Sequence, residues 1–163
     1  MENLDFKFEY KIPDLSSDDK KLYFNNAQLS ERKRFPYIIH KKGDEFNQVF
    51  NFILEDSYMI PHMHPASYMV EKMHLIEGSF KLIFFDDSGK PTKSYHIDRH
   101  TPKVQVPGFT WHTYVMTSGA TIIFETMVGV YNPLTWKKIA SWAPEENSKD
   151  SIKYLQNLKS LKI

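Results

Sequence analysis

An all-β domain, built as a small antiparallel barrel or sandwich with a helix near each end, is the fold class this sequence predicts. Three features point there. Seven short strand-like runs follow one another between about 48 and 128, separated by turn residues, with no helical periodicity between them. Aromatic residues make up 15% of the chain, with 12 Phe and 9 Tyr, and such side chains suit a half-buried pleated surface. Helical patterning is confined to the two ends.

In chain order, Phe6, Phe8, Tyr10 and Ile12 alternate loosely, so residues 1–13 are read as an edge strand that Pro13 ends. Ser16-Ser17-Asp18-Asp19 places a hydroxyl at a helix cap and acids in the first turn, and Leu22, Ala27 and Leu29 form a narrow apolar face up to about Ser30. Glu31-Arg32-Lys33-Arg34 is a charge run, read as a solvated loop or helix end. The strand-like runs are Gln48 to Leu54, Val70 to Ile76, Ser79 to Phe85, Lys93 to Ile97, Val104 to Val106, Thr113 to Met116 and Thr121 to Val128. Asp86-Asp87-Ser88-Gly89 is a turn signal that joins the third and fourth runs as a hairpin, and Pro107-Gly108 and Ser118-Gly119 mark further turns. Beyond Gly129 the chain is irregular, with Trp136 and Trp142 expected to pack across the barrel rather than take part in chemistry. Ile152, Leu155, Leu158 and Leu161, with lysines between them, describe an amphipathic terminal helix, either a lid or a dimer contact. The division is therefore an N-terminal extension with a short helix (1–45), a barrel (46–130), and a tail and helix packing on it (131–163), all in one domain.

Composition excludes several function classes. The net charge of +1 gives no electrostatic case for nucleic acid or membrane binding. The absence of cysteine removes disulfides, thiolate zinc sites and a cysteine nucleophile together. Met1-Glu2-Asn3-Leu4-Asp5 has early acids and no apolar stretch like that of a secretory signal, and no run reaches the ~20 apolar residues of a bilayer span. A cytoplasmic location is the default expectation. Single, scattered glycines (6 in all) leave no phosphate-binding loop.

Chemistry concentrates in Pro61-His62-Met63-His64-Pro65 and Pro107-Gly108-Phe109-Thr110-Trp111-His112. On an extended strand His62 and His64 share a face and can grip one ion. Glu71 opens the next strand-like run and His112 comes from a separate strand. Three imidazoles and a carboxylate form a donor set for a divalent transition metal, with Fe, Mn, Ni and Zn all compatible. His74, three residues after Glu71, falls on the opposite face, and His96 and His100 flank a solvated loop with Asp98 and Arg99.

These residues resemble the two motifs of the cupin superfamily. In the first, a His-x-His is followed by Glu, six residues and Gly, matched by His62, His64, Glu71 and Gly78; in the second, a Pro-Gly turn leads to His, matched by Pro107 and His112. The resemblance narrows to the WbuC-family cupin fold metalloproteins. It is carried by Ser30-Glu31-Arg32-Lys33-Arg34 with His40 following, and by Phe85 to Gly89, Trp111-His112-Thr113, Glu125, Gly129-Val130-Tyr131 and Trp142 to Glu145. The chain departs from the usual motifs in three places: six residues separate His64 from Glu71, Phe109 stands at a usual Gly, and Met116 stands at an occasional Asn. A bulky Phe109 is expected to tighten or plug the pocket.

The resemblance implies an antiparallel jelly-roll barrel holding a metal on His62, His64, Glu71 and His112. It also implies work in surface-polysaccharide assembly, with a sugar derivative as small-molecule partner; a homodimer is a separate expectation, the terminal helix being one candidate contact. Arg32 and Arg34, if turned toward the barrel mouth, would bind substrate phosphate or carboxylate. The resemblance brings no assigned reaction with it; a Lewis-acid metal acting on a sugar or nucleotide-sugar suits isomerisation or epimerisation, which need no redox equivalents. An Fe(II) dioxygenase and a non-catalytic metal- or ligand-binding module are the alternatives. No residue is singled out as catalytic beyond the metal ligands.

Overall fold

A computed structural model describes residues 3–163 of the chain; Met1 and Glu2, part of the N-terminal stretch read above, lie outside the described residues. Two five-stranded antiparallel sheets face each other. One runs β1 (Arg34–Ile38), β2 (Phe46–Leu54), β9 (Ala120–Val128), β4 (Glu71–Glu77), β7 (Lys103–Val106), and the other β10 (Lys138–Ile139), β3 (His62–Met63), β8 (His112–Met116), β5 (Phe80–Phe85), β6 (Pro91–Ile97). This is the jelly-roll barrel of the cupin type. All seven strand-like runs are strands, and β5 and β6 form the hairpin expected across Asp86–Gly89, where Asp86 accepts from the Ser88 and Lys90 amides.

Alternation along each strand sorts side chains into layers. The barrel interior is filled by Ile53, Met73, Leu75, Phe80, Leu82, Phe84, Tyr114, Met116 and Ile123 among others. Residues of opposite parity on the first sheet (Phe50, Phe52, Ile122, Phe124) pack outward against Ala27, Tyr23 and Phe24 of helix α1 (Ser17–Leu29). Those of the second (Ile83, Phe85, Val115) pack outward against Leu155 and Leu158 of helix α2 (Lys149–Ser160). The order is helix, sheet, sheet, helix.

Both helices lie where the sequence places them, the first by its cap and the second by its apolar spacing, but their buried faces are rotated from the expected ones. Ser16 Oγ accepts from the Asp19 amide at 3.0 Å, capping α1. Leu22 and Leu29 point outward, 54% and 80% exposed, and the buried stripe is Tyr23, Phe24 and Ala27. In α2, Ile152 is 67% exposed, whereas Ser151, Leu155 and Leu158 are buried, the i, i+4, i+7 row of a single face. Lys81, reaching out from β5, donates to the Lys159 and Leu161 carbonyls at 2.7 and 3.0 Å and ties down the end of α2.

Two further differences concern the N-terminal third. Residues 6–12 are not a strand; Phe8 packs on Phe124 and His74, Tyr10 packs tilted on Phe46 at 4.4 Å, and Lys103 donates to the Phe6 carbonyl, so the stretch covers the outer sheet face without strand pairing. The charge run is not wholly solvated either. Arg34 begins β1, which pairs with β2 as an extra edge strand, and its side chain is buried.

Candidate metal centre

Along the inner faces of the strands, apolar residues at one end of the barrel give way to polar ones at the other. On β8 the inward row reads Met116, Tyr114, His112; on β4 it reads Leu75, Met73, Glu71; on β9, Ile123, Glu125, Met127. The short strand β3 pairs with β8 in the register His62↔His112, which sets two imidazoles side by side with ring centroids 4.5 Å apart. His62, His64, Glu71 and His112 are all buried, and their donor atoms lie within 4.8 Å of one another. The four residues expected to meet do meet.

Backbone carbonyls fix the tautomer of each ring. His62 Nδ1 donates to the Ile60 carbonyl (3.1 Å), His64 Nδ1 to Trp136 (2.8 Å) and His112 Nδ1 to Thr110 (2.9 Å). A carbonyl only accepts, so each Nδ1 carries the proton and each neutral ring presents an Nε2 lone pair to the centre. There the Glu71 carboxylate stands 2.9 Å from His112 Nε2 and 3.5 Å from His64 Nε2, and the latter nitrogen has no hydrogen-bond partner. Acceptors crowded this closely need a cation or extra protons between them. Ligand atoms bound to one transition metal at about 2.0–2.2 Å are about 3–3.5 Å apart when adjacent, so the donor set and its spacing fit a metal ion.

Electrostatics agree. Burial, then the neighbouring His112, hold the His62 imidazole well below its ordinary range, so it is a neutral ligand at physiological pH. Burial opposes ionisation of Glu71, but in the metal-free cluster protons on His112 and His64 beside it outweigh burial and hold the carboxyl well below its usual range. Glu71 in turn outweighs the burial of His64 and raises its pKa, so positive charge belongs between these groups.

The six-residue span between His64 and Glu71 does not displace the carboxylate. Gly108 lets the loop seat closely: a Cβ there would meet the Ala66 carbonyl oxygen at 1.9 Å, and the Phe109 amide donates to the His64 carbonyl at 2.8 Å. Phe109 does not plug the pocket. It occupies the left-handed region (φ 60°), where the motif's glycine would sit without strain, and its ring is 60% exposed. Gly78, at φ 87° and with a Cβ position 2.4 Å from the Ala120 carbonyl, shows why the first motif ends in glycine.

The centre forms one wall of a cavity of about 310 Å³, lined by His62, His64 and Glu71 and, further out, by Met59, Trp136 and Lys137. His112 lies behind these residues. Arg32 and Arg34 both reach the lining, but Glu146 engages them: Arg34 Nη2 donates to it at 2.6 Å and Arg32 Nε at 2.9 Å, while Arg34 Nη1 donates to the Tyr58 carbonyl at 3.1 Å. Trp142 packs on Phe85 and Trp111 as expected, whereas Trp136 is part of the site through its carbonyl and the cavity wall. His74 lies on the outer sheet face against Phe8, and His96 sits 3.8 Å from Asp98 on the surface. His40 lines the cavity and accepts from the Gln48 amide through Nδ1.

Sequence reasoning missed the second carboxyl. Glu125 faces the cavity, accepts the Tyr114 hydroxyl at 2.6 Å, and is pushed up to about 8 by burial and then by the charge of Glu71. The signal was a lone acid sharing the inward parity of Ile123 and Met127, the one charged residue of its strand.

A family model described as "Domain of unknown function (DUF6016)" matches residues 16–97, half of the chain. No curated protein matches it. Among solved structures, CapF bound to the inhibitor 3-isopropenyl-tropolone shares 12% identity over 64% of this chain and 34% of its own length, with a TM-score of 0.52. The oxalate decarboxylase of Lactobacillus farciminis in its formate complex shares 12% identity over 74% and 38%, at 0.50. Protein SO0799 of Shewanella oneidensis shares 10% over 65% and 72%, also at 0.50. The chain thus spans little more than a third of the first two proteins. At these identities the likeness establishes the shared barrel. Among the described residues no helix is long and apolar enough to cross a membrane.

Proposed function

We propose, for a chain that belongs to the family described as a domain of unknown function (DUF6016), a metal-dependent enzyme that isomerises or epimerises a small sugar-like substrate. The observation that carries this reading is the juxtaposition of a metal-compatible donor set, open on one side to a cavity, with a carboxyl group beside it that is protonated near neutral pH. A closed four-ligand site would support a structural or sensory role; three of these ligands line a space that small molecules can enter.

His62, His64, Glu71 and His112 would hold the ion, which supplies Lewis-acid polarisation of a carbonyl or of vicinal oxygens when bound. Glu125 would deliver or accept the proton at the substrate carbon. Tyr114, whose hydroxyl burial holds well above its ordinary range, stays a donor and orients the Glu125 carboxyl. Trp136 and Met59 exclude water from the cavity wall. The volume of about 310 Å³ is at the low end for ligand sites, about 300–1,000 Å³, which suits one sugar ring rather than a whole nucleotide-sugar. Arg32 and Arg34 add positive charge on one side of the mouth, with Glu146 holding their guanidinium groups. The WbuC-like segments support a place in surface-polysaccharide chemistry; separately from that resemblance, we take the protein as a cytoplasmic homodimer.

Solvent-deuterium incorporation tests the reading. Metal-loaded protein is incubated in D2O with a panel of aldoses, ketoses and uronates, and carbon-bound deuterium is followed by NMR. Incorporation that requires the metal and disappears in Glu125→Gln supports it. Oxygen consumption with Fe(II), without deuterium exchange, would replace it by the dioxygenase reading, and absence of both would leave a binding module.

A further inference from the structure

The cavity holds a cation that, among the described residues, no hydrogen bond or ion pair engages. Trp136 turns its carbonyl to His64 and thereby places the next residue, Lys137, on the cavity wall close to the donor cluster. Arg32 and Arg34 are bound to Glu146, and Arg34 also to Ser57 and Tyr58. Among the described residues, Lys137 Nζ has neither a hydrogen bond nor an ion pair, although the side chain is half-buried. Three cationic groups therefore border this side of the cavity against two carboxylates, Glu146, which both arginines engage, and Glu71, which faces the histidines. A lysine free to choose extends its ammonium into bulk water. This one lines the cavity, where burial, then the repulsion of Arg32 and Arg34, lowers its pKa against the pull of Glu146 and Glu71.

We propose that Lys137 is the anion-receiving residue of the cavity, so that the substrate is a small molecule bearing a carboxylate or a phosphate, a sugar acid or a sugar phosphate. A substrate anion at Lys137 would offset the excess charge, and its remaining oxygens would lie toward the donor cluster. Apolar lining from Met59, Met127 and Trp136 flanks the path between them. The inference rests on the enzymatic reading for what happens at the metal end, but the anion site stands or falls by itself.

The test titrates inorganic phosphate and, separately, acetate into the protein as purified and into chelator-treated protein, following the Trp136 indole and neighbouring amide shifts by NMR. The chelated preparation isolates the lysine, since a metal could bind either anion. One of the two anions is expected to saturate the shifts at concentrations of about 1–10 mM, and which one does so distinguishes the phosphate from the carboxylate source. Lys137→Met weakens that binding roughly tenfold or more while Lys137→Arg keeps it within about threefold. Unchanged metal content in Lys137→Met shows that the centre is intact. No saturation by either anion, or equal midpoints in the native protein and Lys137→Met, overturns the proposal. Failed metal uptake with preserved anion binding would instead overturn the enzymatic reading and leave this site standing.

Discussion

Removing the charge of Glu146 should cost the protein more than removing the half-exposed charge of Arg32 beside it, because Glu146 is the counterion of the buried Arg34. Arg34 is 8% exposed and donates to Glu146 at 2.6 Å; the carboxylate side chain is itself only 18% exposed. Removing one partner of a buried pair costs about 3–5 kcal/mol when the survivor is stranded. Here the Tyr58 carbonyl, Ser57 and the Arg32 carbonyl still receive Arg34 donors, which brings the expectation for Glu146→Gln to about 2 kcal/mol. The Arg32 pair is half-exposed, so Arg32→Gln should cost under about 1 kcal/mol. Urea unfolding at neutral pH measures both, and Arg34→Met combined with Glu146→Leu should recover part of the loss, since no charge is then stranded. The pH dependence follows from the direction of the shift. Burial opposes the charge on Glu146, but its two arginines hold the pKa below the ordinary glutamate value, so its contribution is present above that value and lost as pH falls through the folded pKa. The native protein should lose this part of its stability on acidification and Glu146→Gln should not. Equal losses in Glu146→Gln and Arg32→Gln would refute the reasoning.

In metal-free protein the Glu125 carboxyl, raised by burial and by Glu71, binds its proton more tightly folded than unfolded; its contribution to stability therefore declines as pH rises from its unfolded value toward about 8, and Glu125→Gln should flatten the profile in that window when melting is followed across pH. Gly108→Ala forces a Cβ against the Ala66 carbonyl and should cost about 1–3 kcal/mol by urea unfolding, with metal affinity falling as the His64–Glu71 loop shifts. Leu158→Ala, at a fully packed position under α2, should cost about 2–5 kcal/mol by the same assay; a loss below 0.5 kcal/mol would mean that the helix is not docked on its own barrel.

Much of this architecture is legible in the sequence because alternation and turn residues act locally. The seven strand-like runs and the Ser16 cap depend on neighbours within a few positions, and all are present. What the sequence hides depends on distant partners. Strand β1, with Pro36 inside it and a charge run at its start, exists because β2 offers a free edge. Strands β3 and β10 are two residues each and exist by pairing with each other and, for β3, with β8. Phe6 to Ile12 alternates like a strand but finds aromatic rings instead of a sheet edge. At the site, the histidines and Glu71 are readable from spacing, whereas Glu125 and Lys137 acquire their roles from the long-range folding of β9 and the tail around the cavity. Arg34 looks like surface charge because its counterion is 112 residues away.

His62, His64, Glu71 and His112 are expected together to hold one transition-metal ion. Elemental analysis of protein purified without added metal, alongside His62→Ala and His112→Ala, tests it most directly, with thermal stability measured before and after chelation. The account predicts close to one equivalent of a single transition metal in the native protein, little in either variant, and a melting temperature that falls on chelation in the native protein alone. A native protein that is metal-free and takes up no metal, with a melting temperature unchanged by His62→Ala, would contradict it.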